Sequence, residues 1–129
     1  MVTDMDGVLC EDCPPGCDDD GPLYAEFLRT ARPFHLPRRQ PVGAIITARL
    51  EKYRDQTEAW LARHRVQYEQ LVMWDSTDAP GRWDPPMRIP AWKAAFFEVS
   101  RALLFVESDP RQAQAIRQLT GKPVVCTNE

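Results

Sequence analysis

The sequence holds no apolar run approaching the roughly 20 residues of a membrane-spanning helix, so no membrane partner is expected. Its first residues carry no basic segment followed by an apolar core; no secretory signal is read there, and the expected location is cytoplasmic. Positive charge is scarce, with 16 Lys and Arg against 19 Asp and Glu and a formal net charge of -3. A basic face for nucleic acid is therefore not expected. A small phosphorylated ligand is not excluded, because a bound metal ion reverses the sign of the local field. Histidine is nearly missing: His35 and His64 have no evident partner in the sequence and read as surface or packing residues. There is no internal repeat and no low-complexity tract.

What is present is an ordinary globular mixture in 129 residues, 43% hydrophobic and 27% charged, the size of one domain with one core. Four cysteines occur, and Cys10, Cys13 and Cys17 cluster as C-x₂-C-x₃-C. Without a secretory context they read as thiols or metal ligands before disulfides. Three thiolates with an Asp or His would make a zinc site. A single cluster of this kind favours free loop thiols, with structural zinc as the alternative.

The chain alternates strand and helix. Met1 to Thr3 reads as the end of a buried strand, short at its start as in a trimmed or fragmentary reading frame. Cys10 to Asp20 reads as a loop. A helix is expected from about Pro22 to Ala31, with Pro22 in its first turn and Asp18, Asp19 and Asp20 at its positive end. Leu23, Phe27 and Leu28 form its expected core face, with Tyr24 at the edge. Val42 to Ile46 is a buried strand, Glu51 to His64 a helix with Tyr53, Thr57, Trp60 and Leu61 on one side, and Gln67 to Trp74 a third strand. Asp75 to Pro90, with four prolines, is an irregular loop. Ala91 to Arg101 is helical and Leu103 to Val106 a fourth strand. Asp109 caps a helix that opens on Pro110 and stops at Gly121. Pro123 to Cys126 is the last strand. Trp60, Trp74, Trp83 and Trp92 read as core or loop-anchoring aromatics rather than a stacking platform for bases.

Five strands separated by helices predict a doubly wound, Rossmann-like α/β fold, a five-stranded parallel sheet with helices on both faces and no separate cap domain. Ligands in such sheets sit beyond the C-terminal strand ends, where strand order reverses. The residues expected there are Asp4 and Asp6, then Thr47, Ala48 and Arg49, then Glu107, Ser108 and Asp109. Three or four converging carboxylates repel one another, and a hard divalent cation such as Mg²⁺ resolves that repulsion. A hydroxyl such as Thr47 and a lysine such as Lys93 suit the outer oxygens of a phosphoryl group. Duller readings exist for each: an acidic turn at Asp4 to Gly7, a strand-end hydroxyl at Thr47, helix capping at Glu107 and Asp109. An EF-hand loop fails, because Gly7 falls too early and no Glu closes it.

These segments resemble the motifs of the haloacid dehalogenase-like (HAD) superfamily over essentially the whole chain. The first is Val2-Thr3-Asp4-Met5-Asp6-Gly7-Val8-Leu9, the second Ala44-Ile45-Ile46-Thr47, the third a lysine for which Lys93 is the candidate, the fourth Leu103-Leu104-Phe105-Val106-Glu107-Ser108-Asp109. Glu107 departs from the pattern, where Asp is usual. The resemblance implies a phosphatase acting on a small phosphorylated metabolite of the nucleotide or sugar-phosphate class. Asp4 would attack phosphorus and form an aspartyl phosphate, and Asp6 would serve as acid and then base. Asp4, the Asp6 carbonyl and Glu107 or Asp109 would bind Mg²⁺. Thr47, Ala48 and Lys93 would hold the phosphoryl oxygens, with Arg49 reaching a substrate phosphate or a second anionic group. The resemblance further implies that the first and fourth strands lie side by side at the centre. Both inter-motif gaps are too small for a cap domain, so it is to the capless group, in which the site is open or covered by a partner or second subunit. The rival reading is a non-catalytic, accessory HAD-like domain beside a nucleotide or sugar-phosphate enzyme.

Overall fold

The computed structural model describes residues 1–17, 21–39 and 41–128. Its strands are β1 (Val2–Thr3), β2 (Val42–Leu50), β3 (Tyr68–Trp74), β4 (Phe105–Glu107) and β5 (Val124–Cys126), and its helices are α1 (Pro22–Thr30), α2 (Arg54–Arg63), α3 (Arg88–Val99) and α4 (Pro110–Thr120). All strand pairs are parallel, in the order β3-β2-β1-β4-β5. The chain is thus a doubly wound α/β fold, with β1 central between β2 and β4. No described helix is long and apolar enough to cross a membrane.

The alternation of side chains along each strand separates two cores. Ile45 packs with Phe27, Leu28, Trp60 and Leu61 on the face covered by α1 and α2. Val2, Ala44, Ile46 and Phe105 pack with Ala94, Phe97, Ala113 and Ile116 on the face covered by α3 and α4. Burial on both faces is why β2 reads as a nearly continuous apolar run.

The helix signals lie where expected at α4. Asp109 Oδ1 accepts from the Arg111 and Gln112 amides, Pro110 opens the helix, and Gly121 ends it in the left-handed region at φ 67°. Other boundaries shift. The second helix begins as a short 3-10 turn at Glu51–Tyr53 before α2. α3 starts three residues early, at Arg88. Leu23 is 55% exposed and leaves the expected core face, because burial along α1 sets in only at Phe27. The expected role of Asp18, Asp19 and Asp20 at the start of α1 lies outside the described residues.

Two differences matter for the site. β2 runs past Ile46 to Leu50, but its pairing with β3 jumps from Thr47–Met73 to Leu50–Trp74, leaving Ala48 and Arg49 as a bulge. The segment between β3 and α3 is not irregular. It forms 3-10 turns at Ser76–Asp78 and Pro80–Trp83. The Arg88–Asp78 ion pair at 2.8 Å, Arg82 Nη1 on the Ala48 carbonyl at 2.7 Å and Trp74 Nε1 on the Asp78 carbonyl at 2.9 Å tie it down. Trp60, Trp74 and Trp92 serve as core or anchoring rings, but Trp83 is 53% exposed at the outer end of the second turn.

Candidate functional site

At the C-terminal strand ends, a cavity of about 190 Å³ is lined by Asp4, Asp6, Thr47, Ala48, Lys93, Glu107 and Asp109. Four separate segments supply them, because the chain crosses over between each pair of neighbouring strands and returns to the same edge. Of the residues expected from sequence, only Arg49 is not on this wall.

Asp4 is held from both sides. Its backbone amide donates to the Val106 carbonyl at 2.9 Å, fixing it against β4, and its Oδ1 accepts from the Met5 amide at 2.8 Å. Oδ2 stands 3.3 Å from Lys93 Nζ, which also donates to Glu107 Oε1 at 2.8 Å and to Gln112 Oε1 at 2.9 Å. Lys93 and Glu107 are fully buried. Burial alone would push the Lys93 ammonium down, but Asp4 and Glu107 outweigh it and hold its pKa up. Burial, then the neighbouring Glu107 carboxylate, raises the Asp4 carboxyl well above its ordinary value, with Lys93 pulling the other way. Lys52, by contrast, is exposed, its ammonium over the Tyr53 ring.

Arg49 departs from its expected role. The β2 bulge turns it inward, where its Nε and Nη2 grip Asp6 Oδ2 and Oδ1 at 3.0 and 2.8 Å. Nη1 donates to Thr57 Oγ1 at 3.0 Å and Nη2 also reaches Cys10 Sγ at 3.4 Å. Each nitrogen of this guanidinium, only 3% exposed, is thus engaged inside the protein, two of them in a fork on Asp6. The same contacts answer the cysteine cluster. The Cys10 thiol is buried against Asp6 and Arg49, apart from the partly exposed Cys13 and Cys17. Burial and then Asp6 raise its pKa, which disfavours the thiolate. None of the four cysteines is in a disulfide.

Glu107 also departs from expectation. Oε1 accepts from Lys93 and Oε2 from the Ser108 and Asp109 amides, at 2.9 and 3.1 Å. Both of its oxygens are thus engaged inside the protein, with Lys93 and the strand end. Asp109 is exposed on the cavity rim. Between them, Ser108 Oγ donates to the Asp6 carbonyl at 3.0 Å. This contact needs Gly7: at φ 81°, a Cβ there would come within 2.6 Å of Ser108 Cβ.

Sequence reasoning missed several wall residues. Asp12 stands at the rim, its carboxyl raised by burial and then by Asp6, Glu107 and Asp109. Gln112 sits one turn into α4, where its distance from Asp109 gave the only signal. Thr57 lies on the expected core face of its helix, and nothing local marks it as a partner of Arg49. Among the described residues, no three His, Cys, Asp or Glu side chains are already gathered as a metal would need them. Compared with protein-family models, with curated proteins and with solved structures, the chain matches none.

Proposed function

We propose that this chain is a Mg²⁺-dependent phosphomonoester hydrolase of the HAD type, with Asp4 as the nucleophile. The observation that carries the reading is the meeting of Asp4, Asp6, Thr47 and Lys93 on one cavity at the reversal point of the sheet. With its Oδ1 fixed by the Met5 amide, Asp4 is left to attack phosphorus through Oδ2. The bond from phosphorus to the leaving oxygen breaks as that to Asp4 forms, and Asp6 gives the leaving oxygen its proton. Water then attacks phosphorus, Asp6 takes the proton back, and phosphate leaves with Asp4 restored. Lys93 and Thr47 neutralise and orient the outer oxygens. Arg49 sets the angle of the Asp6 carboxyl, and Glu107 sets that of Lys93.

The donors fit a hard divalent cation in kind. Five carboxylates, of Asp4, Asp6, Asp12, Glu107 and Asp109, surround the cavity against Lys93 within it and Arg49 behind Asp6. Asp4, the Asp6 carbonyl and the rim carboxylates Asp12 and Asp109 would hold Mg²⁺. The carbonyl keeps a second lone pair beside the Ser108 hydroxyl. When bound, the ion supplies positive charge that draws the phosphoryl oxygens toward Asp4.

Hydrolysis of p-nitrophenyl phosphate tests the reading. Turnover with Mg²⁺, lost in chelator and lost in Asp4→Asn, is the expected result. A folded wild-type chain that is as inert as Asp4→Asn across a panel of phosphate esters would leave the accessory-domain reading instead.

A further inference from the structure

A second cleft, of about 360 Å³, opens beside the acidic cavity. The two share Asp6, Ala48 and Trp83 as a common wall. On the phosphatase reading, on which this inference rests for the position of the phosphoryl group, Asp6 faces the leaving oxygen. What hangs from that oxygen then passes Asp6 into the second cleft. Its size is within the range of about 300–1,000 Å³ typical of small-molecule sites.

The chemistry of the walls narrows the occupant. Tyr24 is held by an edge contact to Tyr53, with ring centroids 5.0 Å apart. Arg82 is fixed by its bond to the Ala48 carbonyl. Trp83 stands on a 3-10 turn tied to β3 and α3, yet leaves half its surface to solvent at the rim shared by both cavities. The Arg82 guanidinium lies over the ring, 5.2 Å from its centroid, and the half of the ring left open beside the cleft is suited to stack on a planar group. The polar groups of the floor are turned on one another: Arg49 is taken up by Asp6, Thr57 and Cys10, and the Asp6 carboxylate lies in its grip. A flat ring that stacks on the Trp83 rim suits such a wall. A polyol, which needs many hydrogen-bond partners, does not.

We infer that the second cleft, rimmed by Trp83, takes a leaving group with a planar aromatic ring, so that the substrates are nucleoside monophosphates rather than plain sugar phosphates. Calorimetric titration tests this on the full-length chain carrying Asp4→Asn, with Mg²⁺, so that nothing is turned over. The probes are adenosine 5′-monophosphate, uridine 5′-monophosphate and ribose 5-phosphate. At least one nucleotide should bind about tenfold or more tighter than ribose 5-phosphate, the scale of one base stacked on an aromatic ring. Adding Trp83→Ala should collapse that ratio toward one, and Trp83→Phe should keep most of it. Equal binding of all three probes overturns the inference, and so does a ratio untouched by Trp83→Ala. Both results leave the phosphatase reading to stand on p-nitrophenyl phosphate turnover. A nucleotide preference without any such turnover supports the cleft and sinks the phosphatase.

Discussion

Lys93 balances two buried carboxylates that would otherwise face each other across β1 and β4. Lys93→Met removes that balance, leaving Asp4 and Glu107 as uncompensated charge. It should cost about 3–5 kcal/mol in urea denaturation near neutral pH. The loss should shrink as pH falls through the raised range of the Asp4 carboxyl. Asp4→Asn should behave oppositely. Burial and Glu107 raise the Asp4 carboxyl, so between its ordinary and raised values the folded chain keeps a proton that the unfolded chain has released. Stability therefore falls as pH rises through that window. In chelator, Asp4→Asn should melt above wild type near pH 7 and show a shallower decline with pH, while its turnover is lost. A variant that melts well below wild type would mean that Asp4 supports the fold. Arg49→Lys keeps the charge but loses the two-pronged grip on Asp6. It should lower kcat by about 10²-fold or more for esters with poor leaving groups, the scale of general acid catalysis, and far less for p-nitrophenyl phosphate. Equal losses for both kinds of ester would show that Arg49 does not act through Asp6.

At the scale of elements, the loops at the strand ends carry the specificity of the fold. Gly7→Ala would force a side chain into Ser108 at a backbone angle that Ala resists, so it should separate β1 from the Asp109 turn. At the start of α4, Asp109→Ala should cost about 1 kcal/mol in thermal or urea unfolding, whereas Asp109→Asn, which also caps, should cost little. Equal costs would place the contribution of Asp109 outside the cap. This helix start was legible in the sequence because its signals are local: Asp-Pro at one end and Gly at the other. The strands were legible for the same reason, as apolar runs between turn residues, and so was the gathering of Asp4, Asp6 and Thr47 at strand ends. The direction of Arg49 was not. It depends on a bulge, a mismatch between β2 and β3 that neither strand shows alone. The two turns before α3 were also hidden, since Arg82, Arg88 and Trp74 anchor them through contacts that no sequence period records. Glu107 looked like a ligand because its neighbourhood resembles a motif. Its engagement by Lys93 and two amides became visible only in three dimensions.

At the scale of the molecule, the carboxylates around the cavity should make metal and stability interdependent. Adding Mg²⁺ should raise the melting temperature of the wild type, because the ion binds the folded state alone, and chelator should reverse it. The rise should be smaller in Asp109→Asn and nearly unchanged in Glu107→Gln. A larger effect of Glu107→Gln would return the metal to that side chain. The central position of β1 has a further consequence, for the order in which the chain assembles. Val2 pairs with Phe105, so the middle of the sheet closes over a loop of roughly a hundred residues, the sort of distant pairing that slows folding. During synthesis β2 and β3 can pair while β4 is still unmade, yet Asp4 has no Val106 carbonyl and no Glu107 beside it until β4 emerges. Asp4 is therefore made long before the groups that seat it, and the wall of the cavity stays incomplete until the central strand is flanked on both sides.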